Sequence, residues 1–195
     1  MDQHLNWDTQ VTNICKKVFS IIYPLKRLNE VLPRSVKKTL VQTLVMPHFD
    51  YCDSLYTDLS ENLTLRLQRA QNTCVRFVCN LRRFDHVTPS LEMLHWTCLK
   101  ERRALHSLSL LFQILHSSTP GYLKTRFKYL SDHHNRDTRS QNSFILSISA
   151  HHTSLYSSSF TIGLARLWNS LPPETRDCRN VAQFRRKIKH ILAIT

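Results

Sequence analysis

Glycine is nearly absent from this chain: Gly121 and Gly163 are its two examples in 195 residues. Tight hairpins and phosphate-cradling loops draw on glycine for positive φ, so few such turns fit and a mostly helical fold suits the sequence better. No Walker or Rossmann glycine pattern exists. Long apolar runs are missing as well, and none approaches the ~20 residues needed to span a bilayer. Met1–Trp7 is polar and acidic at its start and does not read as a secretory signal. A compact disulfide framework is also lacking, because Cys15, Cys52, Cys74, Cys79, Cys98 and Cys178 are scattered. A reducing compartment, nucleus or cytoplasm, is therefore the default.

Acidic residues are scarce. The chain has 14 Asp and Glu against 27 Lys and Arg, a net charge of +13. Such an excess repels itself unless a polyanion neutralises it, which makes nucleic acid the leading partner class. The plainer alternative is a basic solvated surface with no specific ligand. An anionic membrane surface fits less well, because the basic residues are spread along the chain without an apolar anchor. With 42% hydrophobic and 21% charged residues the composition is that of a globular protein, so a packed core is expected. The length allows one sizeable core or two small modules.

Apolar spacing predicts the elements. Val11, Ile14, Cys15, Val18, Ile22 and Leu25 form one stripe over residues 10–29, with Pro24 in the last turn. Residues 34–46 predict a second helix, opened by Pro33, lined by Val36, Leu40, Thr43 and Leu44, and stopped by Pro47. A short helix or turn follows through Tyr56. Residues 61–81 predict the clearest helix, with Leu63, Leu67, Ala70, Cys74, Val78 and Leu81 on one face. Arg66, Arg69, Arg76 and Arg83 form a basic stripe on a neighbouring face. Thr88–Pro89 opens a short helix to Leu94, and residues 98–116 predict a long one burying Leu105, Leu108, Phe112 and Leu115. Pro120–Gly121 breaks it. Residues 131–143 are polar and mark a boundary or exposed loop. Phe144, Leu146 and Ile148 alternate as in a strand. Phe160–Leu171 and residues 180–193 predict the last helices, the latter with Val181, Phe184, Ile188 and Ile191 inside.

Several residue clusters resemble chemical sites and are better explained locally. Asp50 and Asp53 are three apart, but a helix cap at Asp50 and an exposed Asp53 explain them better than a metal pair. Cys74-x4-Cys79 with His95-x2-Cys98 supplies zinc-type ligands, yet Cys74 falls on an apolar helix face, where a thiol packs as a small hydrophobe. His133–His134 and His151–His152 read as surface histidines. Trp96, Trp168, Phe77 and Tyr51 read as packing residues. No cofactor is implied.

Seven short runs in order carry a family resemblance over nearly the whole chain. They are Leu5–Asn6–Trp7; Pro47–His48–Phe49–Asp50–Tyr51–Cys52; Gln68–Arg69–Ala70–Gln71–Asn72 with Arg76–Phe77; Leu94–His95–Trp96 with Arg102–Arg103; Pro120–Gly121–Tyr122–Leu123; Thr138–Arg139–Ser140; and Phe160 with Leu167–Trp168–Asn169–Ser170–Leu171–Pro172. Together they resemble the region that follows the catalytic palm in reverse transcriptases of non-LTR (LINE-type, jockey-like) retrotransposons. Thr97–Cys98 departs from the family's Leu-Pro at that turn.

The resemblance implies a mainly α fold: a thumb-like helical module over 1–85, a helical connector over 86–130, and a C-terminal region over 131–195 with a polar loop, two helices and room for a short β-hairpin. It also implies that the palm lies outside this chain. The adjacent Asp-Asp pair that such polymerases use for two-metal catalysis is absent, so no catalysis by the chain alone is expected. A thumb holds duplex through backbone and shape, which nominates Arg66, Arg69, Arg76, Arg82 and Arg83, with Lys37 and Lys38 on the preceding helix, for contacts to RNA or RNA–DNA duplex. The rival expectation is a co-opted or relic fragment that binds a protein partner through an exposed apolar face.

Overall fold

Apolar residues at three- and four-residue steps dominate the architecture, and the fold is mainly α. The computed structural model describes residues 6–56, 58–117, 120–133 and 144–192. The polar run from 134 to 143, including Thr138–Arg139–Ser140, lies outside the described residues, as does Leu5. Two compact units emerge: residues 1–53 with 59–102, and residues 54–58 with 103–195. The sequence-based boundaries at 85 and 130 differ from this division, which falls between Arg102 and Arg103.

In the first unit, α1 (Asp8–Arg27) buries Val11, Ile14, Val18 and Ile22 along one stripe. Asp8 in its first turn and Lys26 and Arg27 in its last suit the helix dipole. The next helical stretch is α2 (Arg34–Leu40), a π-helical turn (Val41–Val45) and α3 (Met46–Asp50). Pro47 therefore does not stop the helix. The Met46 N–H reaches back five residues to Val41 O, and this widened turn accommodates a proline that lacks a donor and crowds the carbonyl four back. The buried face here is Lys37, Val41, Val45, Met46 and Phe49, shifted from the predicted one. Val36 and Leu44, expected inside, are exposed.

Helix α4 (Glu61–Cys79) buries the predicted Leu63, Leu67, Ala70, Cys74 and Val78, and also Gln71, Val75 and Phe77. It packs along α1. Asn80 ends it in the left-handed region (φ 53), a conformation that asparagine tolerates better than most residues. Leu81 thus lies beyond the helix, its N–H bonded to Arg76 O. Helix α5 (Thr88–Leu94) ends in the same way at His95 (φ 56).

Helix α6 (Leu99–His116) gives its first turn to the first unit and the rest to the second. In the second unit Leu108, Leu111, Phe112 and Leu115 of α6 meet Trp168 of α9 (Phe160–Asn169) and Phe184 and Ile188 of α11 (Val181–Leu192). The Phe112 and Phe184 rings stack with centroids 4.4 Å apart, and Trp168 lies 5.5 Å from Phe184. Short helices α7 (Gly121–Lys124), α8 (Ser154–Ser157) and α10 (Pro173–Arg176) complete the unit. The predicted strand around Leu146 takes the form of one antiparallel bridge to Tyr129. On the other edge of this segment the Asn169 amide pairs with the Leu146 backbone, accepting its N–H at 2.8 Å and donating to its carbonyl at 2.9 Å. The Trp168 indole N–H donates to Phe144 O at 2.8 Å. The Trp168–Asn169 pair is therefore a staple for the passing chain.

Candidate functional site

Packing α1 against α4 places the end of α1 beside the C-terminal half of α4. Between them lies a groove of about 910 Å³. Lys26 and Asn29 line it from the α1 side. Arg69, Asn72, Thr73, Arg76 and Phe77 line it from α4, and Asn80, Leu81 and Arg83 from the turn that follows. The groove thus gathers four cations and three side-chain amides, with no carboxylate among its lining residues. Among the described residues none of the four cations forms an ion pair. The Arg76 Nε–H is buried without a protein acceptor. Unpaired cations converging on one concavity raise its positive potential, because low-dielectric walls focus the field.

The nominated basic residues separate into distinct roles. Arg69, Arg76 and Arg83 line the groove. Arg82 and Lys38 lie outside its lining, Arg82 exposed and Lys38 half-buried. Arg66 is turned to α1, where it bonds the Thr12 hydroxyl at 2.8 Å and pairs with Asp8 at 3.6 Å. Lys37 is a correction. It is 1% exposed, and its ammonium donates to Asn29 Oδ1 and Asn80 Oδ1, each at 2.7 Å, 5.5 Å from the Phe77 ring centroid. Its apolar stem lets it occupy a core position while the head finds polar partners. Both bonded amides line the groove. Lys37 holds their carbonyl ends, which leaves the NH2 ends to serve other acceptors. It therefore positions the lining from beneath.

Sequence reasoning missed Lys26 and the three asparagines. Lys26 follows the apolar stripe of α1, and nothing local to it indicates that α4 will lie alongside.

Other motif residues hold the first unit together. The Gln68 side chain donates to Gln71 Oε1 (2.8 Å) and Asn72 Oδ1 (2.9 Å) and accepts from Leu99 N–H (3.0 Å). Gln71 donates to Thr97 O at 2.9 Å. These amides pin the turn at Thr97–Cys98. Asp50 takes two hydrogen bonds from the Arg102 guanidinium, one of them 2.6 Å, and these raise the Arg102 pKa. Asp50 is thus committed to an ion pair and does not cap a helix, and Asp53 is buried where exposure was expected. Tyr51, expected to pack, is exposed, because the chain turns outward through Cys52 in the left-handed region (φ 54). Trp96, Trp168 and Phe77 are buried as expected.

The cysteines behave as packing residues at the position that mattered. Burial pushes the Cys74 thiol up to about 12, and its Sγ–H donates to Ala70 O. Cys79 Sγ accepts from Arg34 instead. Among the described residues Cys74, Cys79, His95 and Cys98 do not converge as metal ligands.

No family model, curated protein or solved structure matches this chain. Among the described residues no helix is long and apolar enough to cross a membrane.

Proposed function

We propose that the first unit grips the sugar–phosphate backbone of RNA or RNA–DNA duplex in the groove between α1 and α4. The observation that carries this reading is the lining itself: Lys26, Arg69, Arg76 and Arg83 with amide donors and no acid. Cations and neutral donors in a concave track suit phosphate oxygens and carry no base code, so the binding is non-specific in sequence. In this reading the chain derives from a non-LTR retrotransposon RNA-directed DNA polymerase, as its thumb and C-terminal region, and performs no catalysis of its own. The test is binding of the purified chain to a labelled RNA–DNA primer–template. An Arg69→Ala/Arg76→Ala double variant is expected to weaken binding, whereas Arg66→Ala leaves it nearly unchanged. Mapping the 5′ end of the transcript separates two origins: an in-frame palm upstream would make the chain a piece of an active polymerase, and its absence would leave a relic or co-opted fragment.

A second reading has its own observation. Val36 and Leu44 are exposed on the α2 side, and Leu40 between them is half-buried. This short apolar stripe favours a protein-interaction module without nucleic-acid binding. Concentration-dependent self-association that Leu44→Glu abolishes, with no nucleic-acid binding at low salt, would select it.

A further inference from the structure

Phe84 is 88% exposed, more than any other large apolar side chain described. It sits in a turn fixed by Asp85, whose carboxylate accepts the Arg82 N–H at 2.7 Å and whose N–H reaches Arg82 O at 3.3 Å. That turn holds Arg83 and Phe84 side by side, with the Arg83 guanidinium 5.6 Å from the Phe84 ring centroid. Arg83 is one of the groove's cations. The α1 wall repeats the arrangement. Tyr23 is 57% exposed, and Lys26, another lining cation, stands 5.6 Å over its ring. Two aromatic rings in solvent thus each accompany a cation of the same basic groove.

Exposed rings beside phosphate-seeking cations have little to contact on a fully paired helix, whose base faces are stacked on one another. On a single strand every base offers a π-face, and alternating cations and aromatics are how proteins hold such strands. We infer that the groove takes a nucleic-acid strand with unpaired bases, its backbone along Arg69 and Arg76 and a base stacked on Phe84. The inference rests on the proposed backbone grip and adds a preference for single-stranded over duplex substrate.

The test compares three labelled ligands of equal length by anisotropy: a single-stranded RNA, a blunt RNA–DNA duplex and an abasic strand. Phe84 packs on little, so Phe84→Ala is expected to fold normally, and Phe84→Trp restores a stacking face. The expected result is that wild type prefers the base-bearing single strand. Phe84→Ala should weaken that ligand about tenfold, with the abasic strand and the salt slope unchanged, and Phe84→Trp should recover it. Equal losses on all three ligands, or no loss on any, would overturn the inference. If wild type binds duplex and abasic strand through Arg69 and Arg76 while Phe84→Ala has no effect, the stacking inference falls and the backbone grip stands. If wild type binds none of the three, both fall.

Discussion

Asp50 and Arg102 are 52 positions apart in sequence, and the carboxylate of one receives two hydrogen bonds from the guanidinium of the other. The pair fastens the end of α3 to the first turn of α6 within the first unit. Each side chain is about one-third exposed, at 33% for Arg102 and 28% for Asp50, so solvent screens the attraction only in part. Two parallel charge-assisted bonds also make a lysine a poor substitute for the arginine. Arg102→Ala is expected to lower stability by ~2 kcal/mol, and Arg102→Lys to recover a minority of that, read from urea unfolding midpoints.

Lys37 gives a second contrast. Lys37→Met keeps the apolar stem but leaves Asn29 and Asn80 without their donor, for an expected cost of ~1–2 kcal/mol. Lys37→Ala adds a cavity and costs more. Because its charge is buried, Lys37→Met should change the salt dependence of nucleic-acid binding less than Arg69→Ala does. Equal effects would place Lys37 among the direct phosphate contacts.

The helices were legible because burial leaves a period in the sequence. Val11, Ile14, Val18 and Ile22 announced α1, and Leu63 to Val78 announced α4. The groove was only half legible. Arg69 and Arg76 share a face of α4, a local fact of spacing, whereas Arg83 comes from the turn beyond the helix and Lys26 joins through the pairing of α1 with α4, which no local pattern encodes. Lys37 was misplaced for a related reason. Lys37 shares the buried face with Val41 four residues on, and the length of the lysine stem lets a position that charge alone assigns to the surface lie inside. Asn169 was readable as part of a motif, but its pairing with Leu146 depends on a chain segment 23 residues away.

In the second unit that asparagine makes a direct test. Asn169→Ala removes both bonds to Leu146 and leaves a backbone N–H and carbonyl unsatisfied, at an expected cost of ~2 kcal/mol. Asn169→Asp keeps only the acceptor and should fall between the two. Trp168→Ala, which empties a side-chain site that is 0% exposed, should cost ~3–5 kcal/mol. Thermal unfolding followed by near-UV circular dichroism reads both.

Cys74 predicts a pH dependence. Its thiol is raised from 9.0 to about 12 by burial, so the folded state holds the proton that the unfolded state releases more readily. A group with a raised folded pKa contributes stability that is complete below its unfolded value and lost as pH rises toward the folded one. Stability should therefore decline above about pH 9, and Cys74→Ala should flatten that decline relative to wild type. In native protein the exposed Cys52 should react with a thiol reagent at pH 8 while Cys74 stays protected until unfolding. Equal rates for the two would contradict the burial.

The groove is the centre of the account, and salt is the variable that probes it most directly. Affinity for an RNA–DNA primer–template should be measured from low to moderate salt for wild type, for Arg69→Ala/Arg76→Ala, and for Lys38→Ala/Arg82→Ala, which removes the same charge from outside the groove. The account predicts that log affinity falls linearly with log salt, with a slope shallower by about 1–2 in the groove variant and nearly wild-type in the control. Identical slopes in all three proteins, or no binding by folded wild type at low salt, would contradict it.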